Sequence, residues 1–241
     1  MAREALGHND SKMWTRLALL IGFAALACSH SVPMAPASLE LLKANPDIPV
    51  VYRTTAGPWV DCPGNFGVDT WKRDAQLWES VQEQRTAGLR NAPPVDPARA
   101  TADRFLLLSR AQSGLPTFRD RLLPAESADL GALSRRFGTT PVLVLETTRW
   151  VLVGCFYSYQ PWFNVRATLL ETSSGNVLWR DACDGLYPPN LRAEVPLGDL
   201  EANGGALYAQ LLEARASGCA GELLARFEGG MRSAAGGPAA Q

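Results

Sequence analysis

Histidine and lysine are scarce in this chain, and no apolar run is long. Both histidines, His8 and His30, fall within the first thirty residues. The remainder carries none, which excludes Ser-His-Asp and Cys-His catalysis there, together with the commonest zinc sites. Three lysines against twenty arginines, no basic run and a net charge of −1 argue against nucleic acid or anionic lipid as the main partner. No Gly-x-Gly-x-x-Gly follows a strand pattern and no Gly-x-x-x-x-Gly-Lys-Ser/Thr occurs, so no nucleotide cradle and no cofactor are expected. Leu17 to Ala27 is the one sizeable apolar stretch. At roughly eleven residues it is about half of what crossing a bilayer requires.

That short stretch is nevertheless the most informative segment. Lys12 and Arg16 precede it and Ala25-Leu26-Ala27-Cys28 ends it, the pattern of an export signal spanning 1–27, with Met13 as a more compact alternative start. Ala25-Leu26-Ala27 satisfies the small-x-small rule of ordinary signal peptidase. The same residues followed by Cys28 resemble the lipobox of bacterial lipoproteins, with Leu26 one place late. Parity separates the two readings. The chain has five cysteines; lipidation of Cys28 leaves Cys62, Cys155, Cys183 and Cys219, an even set suited to an oxidising periplasm. By the sorting rule of such lipoproteins, Ser29 in place of Asp implies the outer membrane.

Residues 28–38, rich in Ser, Pro and Ala, read as a lipidated tether, 39–228 as one globular domain, and the Gly/Ala-rich 229–241 as a flexible tail. A strand is expected over 50–55 and an amphipathic helix over 70–89, with Trp71 and Trp78 on its apolar face. A second helix is expected over 98–110, with Phe105, Leu106 and Leu108 inward. Ser127 is placed to cap a helix over 128–137, with Leu130, Leu133 and Phe137 on one stripe and Gly138 at its end. The near-continuous apolar run 141–147 reads as a strand covered on both faces. Strands over 149–159 and 162–171 follow, and a Gly-containing turn over 172–176 returns through 177–181. Leu207, Leu211 or Leu212, Ala216, Cys219, Leu223 and Phe227 mark a closing helix over 200–227, weakened by Gly204 and Gly205. The fold class is therefore α/β (α+β): a mixed, mostly antiparallel sheet packed by helices.

The order of helix, buried strand, long hairpin and closing helix resembles a group of bacterial envelope lipoproteins. Leu169, Gly175, Val177, Leu178 and Trp179, preceded by Thr140 to Leu145, carry the likeness. The group includes the curli-secretion channel lipoprotein, the penicillin-binding-protein activator lipoproteins and the amino-terminal domain of TolB. The likeness spans 127–184; Pro141 stands where the group usually has Asp, and Cys155 and Cys183 are additions. It implies an α/β sandwich that works by binding.

Three sets of residues could carry chemistry or recognition. Cys155 and Cys183 fall on neighbouring strands, so 155 with 183 and 62 with 219 is the preferred pairing among the three open to four cysteines. Glu146, Asp181 and Asp184 are the carboxylates near the sheet that a peptidoglycan- or carbohydrate-acting hydrolase could use. Phe156, Tyr157, Tyr159, Trp162 and Phe163 crowd one hairpin. Alternation cannot bury them all, which nominates Tyr157, Tyr159 and Trp162 for binding. The expected protein is a non-catalytic outer-membrane lipoprotein on the periplasmic face. It holds the membrane through its lipid and binds an envelope protein, or itself, through the sheet edge or this hairpin.

Overall fold

The apolar run after Gly138 becomes the middle of the sheet. In the computed structural model, which describes residues 31–53, 59–61, 95–120, 129–153, 158–184 and 195–236, β4 (Val142–Val153) is a single long strand. It absorbs both the 141–147 run and the first part of the strand expected over 149–159. The two meet at a bulge between Thr147 and Arg149, where one extra residue restores the face on which Trp150 and Leu152 join Leu143 and Leu145 in the core.

Along one side β4 pairs in parallel with β1 (Asp47–Arg53) and then β2 (Trp59–Asp61). Along the other it pairs antiparallel with β5 (Ser158–Leu170), which in turn pairs with β6 (Val177–Asp184) and the short β7 (Val195–Pro196). β3 (Thr117–Asp120) flanks β1 in parallel, giving the order β3-β1-β4-β5-β6. The fold is the mixed, helix-packed α/β arrangement that the sequence predicts. All of it lies in one compact unit, Ser31–Gln241.

Helices α2 (Pro97–Arg110) and α4 (Leu197–Ala234) cover one face. Asp96 caps α2 by accepting from the amides of Ala98 and Arg99, and Pro97 supplies the fixed φ suited to a first turn. Phe105 and Leu106 are buried as expected. Four rings then cross the core edge to face: Phe105 on Phe118 at 5.0 Å, Phe118 on Phe227 at 5.5 Å, and Phe227 on Trp179 at 5.1 Å. They join α2, β3, α4 and β6 in one apolar column.

The closing helix is broken where the glycines stand. Ala202 is extended, and Asn203, Gly204 and Gly205 have φ of 54°, 66° and 81°, the left-handed region that glycine enters at no steric cost. The buried stripe beyond the break runs Tyr208, Leu212, Ala216, Cys219, Leu223 and Phe227. Tyr208 thus takes the inward position expected of Leu207.

On the opposite face α3 (Leu130–Phe137) packs Leu133 against Val51, Val142 and Val144. Its cap is Asp129, whose carboxylate accepts from Ala132 N at 2.6 Å, not Ser127, which lies outside the described residues. Leu130 is 44% exposed instead of inward. Its side chain lies over Gly175, where a Cβ would come within 2.7 Å of it and φ is +77°; the turn needs glycine on both counts.

Both ends of the domain are longer than the composition suggests. Val32 pairs with Arg180, Met34 is buried, and α1 (Pro36–Ala44) already begins inside the expected tether. α4 continues to Ala234, and at Gly230 an added Cβ would come within 3.5 Å of the Met34 and Trp179 side chains. The expected tail over 229–241 is therefore helical in its first part. Apolar contact with the core overrides a composition rich in Ser, Pro, Ala and Gly.

Candidate functional site: the polar face of the sheet

Period-two alternation along β5 sorts its residues between two environments. Phe163, Val165, Ala167 and Leu169 are all fully buried on the helix-covered face, while Trp162, Asn164, Arg166 and Thr168 point the other way. On that second face the register sets Arg53, Glu146 and Arg166 side by side on β1, β4 and β5. Glu146 accepts from both arginines, at 3.4 Å from Arg53 and 2.6 Å from Arg166. One row further, Asn164 donates to Asp184 and its side-chain oxygen accepts from Thr148. Beyond it the Arg149 guanidinium lies 4.8 Å from the centre of the Trp162 ring, a cation–π stack.

The aromatic hairpin is mostly core. Tyr159 is fully buried with Phe163, which corrects its nomination as a binding residue: β5 begins before it and alternation turns it toward the helices. Trp162 is half-buried and reaches the polar face under Arg149. Tyr157 lies outside the described residues. Sequence reading overlooked Arg53, Arg149 and Arg166. The polar alternation Asn164, Arg166, Thr168 between apolar neighbours was the signal that could have found Arg166.

The three carboxylates of the hydrolase reading are not brought together. Asp181 lies opposite Ala167 on the helix-covered face, where Arg226 donates to it at 2.8 Å. Glu146 is on the other face. Asp184 shares the face of Glu146 but is two strands away, roughly 10 Å, and engaged by Asn164. A glycosidase pair must face a common cleft. Among the described residues no group of three His, Cys, Asp or Glu side chains could hold a metal ion, and no helix is long and apolar enough to cross a membrane.

The disulfide corrects the preferred pairing. Cys183 is joined to Cys219, with Cα atoms 5.5 Å apart, because Cys183 points to the helix-covered face and the buried stripe of α4 passes directly over it. Sequence order favoured Cys155, but the face on which Cys183 sits decides its partner. Cys62, Cys155 and Cys28 lie outside the described residues, as does the helix expected over 70–89.

Elsewhere in the core, Trp150 Nε1 donates to the Tyr208 hydroxyl at 3.0 Å. Burial pushes the Tyr208 phenol above its usual range, against smaller lowering effects of the Trp150 hydrogen bond and of Arg215.

No family model matches this chain, and no curated protein matches it. Among solved structures it is similar to PelC of Paraburkholderia phytofirmans, crystallised as a dodecamer. That match has 13% identity and a TM-score of 0.30, covering 78% of this chain and 93% of that one. It is also similar to a putative neuraminyllactose-binding hemagglutinin homolog from Helicobacter pylori, with 7% identity, a TM-score of 0.33, and 78% and 90% coverage. Likeness this low carries no inference about activity, ligand or assembly.

Proposed function

We propose that this chain is a non-catalytic lipoprotein of the outer membrane, facing the periplasm, that binds a partner protein in an envelope assembly or secretion process. The leader ending in Ala25-Leu26-Ala27-Cys28 carries the reading. Two observations support it. Cys183 and Cys219 are adjacent and bridged, which suits an exported protein and leaves Cys62 and Cys155 as a second pair once Cys28 is lipidated. The carboxylates that a hydrolase would use are held apart in separate polar contacts.

The partner-binding surface in this reading is the polar sheet face around Trp162 and Arg149, residue types that dominate protein interfaces. Intact mass of the protein from the envelope fraction, with and without reduction, and crosslinking capture from the same membranes test the proposal. Cleavage before Cys28, added acyl chains and a gain of about four protons on reduction are expected. An unacylated mature chain overturns the lipoprotein reading, and hydrolysis of peptidoglycan by the purified protein overturns the non-catalytic one.

A further inference from the structure

We infer that the β6 rim of the sheet is held against the bilayer by a strap formed from the residues that follow Cys28. This inference rests on the lipidation proposed above. Val32 N–H donates to the Arg180 carbonyl at 2.9 Å and Arg180 N–H donates to the Val32 carbonyl at 3.0 Å, so the chain adds a strand-like bridge to the outer edge of β6. Two residues on, Met34 is 5% exposed, its Cβ 3.5 Å from where a side chain at Gly230 would begin, and the helix α1 follows at Pro36. The pairing and the buried Met34 side chain fix this segment to the body at two successive points.

Only Ser29, His30 and Ser31 then separate the anchor from the fold. Four Cα–Cα steps reach at most about 14 Å when fully extended. A tether of residues 28–38 would have allowed more than twice that reach, and free rotation of the body. The short strap instead fixes which rim is close to the lipid. β3 lies at the opposite end of the order β3-β1-β4-β5-β6, four strand spacings or roughly 19 Å from β6. The membrane-distal rim, with β3, is the one presented to the periplasm.

The test places a fluorescent non-canonical amino acid at position 184 or 119, both exposed, in the full-length acylated protein. Energy transfer is then read to an acceptor lipid in phosphatidylethanolamine/phosphatidylglycerol vesicles. Acylation of each sample is established first by mass, so that a missing lipid, which would sink the lipoprotein reading, is told apart from a failed strap. Transfer at least several-fold more efficient from 184 than from 119 is the expected result. Ten Gly/Ser residues inserted between His30 and Ser31 leave the Val32 pairing intact and should abolish the difference. Val32→Pro, which removes the donor to Arg180, should reduce it. Equal transfer from both positions in the acylated wild type, or a difference that survives the insertion, overturns the inference.

Discussion

Trp150 on β4 and Tyr208 on α4 are joined through a 3.0 Å hydrogen bond inside the core, with both residues at 3% exposure or less. This is the polar tie between the central strand and the helix that closes the domain. Tyr208→Phe leaves the indole N–H without an acceptor and should cost about 1–3 kcal/mol in urea unfolding. The pH dependence follows from the raised phenol. Folded Tyr208 stays protonated where the unfolded chain begins to ionise, near the usual value of about 10. Its contribution is therefore full below that pH and is lost as the pH rises through the folded value. Stability of the wild type should fall more steeply above pH 10 than that of Tyr208→Phe.

Peptide mapping without reduction should recover Cys183 linked to Cys219, 36 residues apart in sequence. Replacing both by Ser should cost about 2–5 kcal/mol, largely through the unfolded chain. A Cys155–Cys183 peptide would contradict the arrangement of β6 beneath α4.

The start of α2 is pinned to β4 by one hydroxyl. Thr147 Oγ1 donates to Asp96 at 3.1 Å and accepts from Ala98 N at 2.9 Å. Thr147→Val keeps the shape but removes both contacts, and should destabilise by about 1–3 kcal/mol. Asp96→Ala, losing the cap as well, should cost at least about 1 kcal/mol. Chemical denaturation of the two single variants and the double variant measures the coupling, which is expected to be clearly non-additive because the groups share one network.

Arg149→Ala with Trp162→Ala should remove most of the crosslinked partner while leaving the unfolding midpoint of the domain within about 1 kcal/mol of wild type, since both side chains are at least partly exposed. Retention of the partner by this double variant would move the interface elsewhere.

The apolar run after Gly138, the helix at 98–110 and the Gly175 turn were legible in the sequence because each rests on local rules: contiguous burial, the placement of Phe105, Leu106 and Leu108 on one face, and a glycine-containing turn. The break in α4 was likewise marked by Gly204 and Gly205. The export signal proposed above rests on sequence alone. Which face a residue joins was not legible. A single bulge after Thr147 reverses the alternation of everything beyond it on β4, and the start of β5 sends Tyr159 inward with Phe163.

Tertiary structure also overruled the cysteine pairing that sequence order preferred. Cys183 meets Cys219 because a strand presents its side chains to opposite faces and the face of β6 that holds Cys183 carries α4. Ser- and Ala-rich residues at the start joined the packed body, with Val32 paired to Arg180 and Met34 buried, and Gly-rich ones at the end became helix. Local propensity sets which elements form; burial against distant segments decides their ends, their faces and their neighbours.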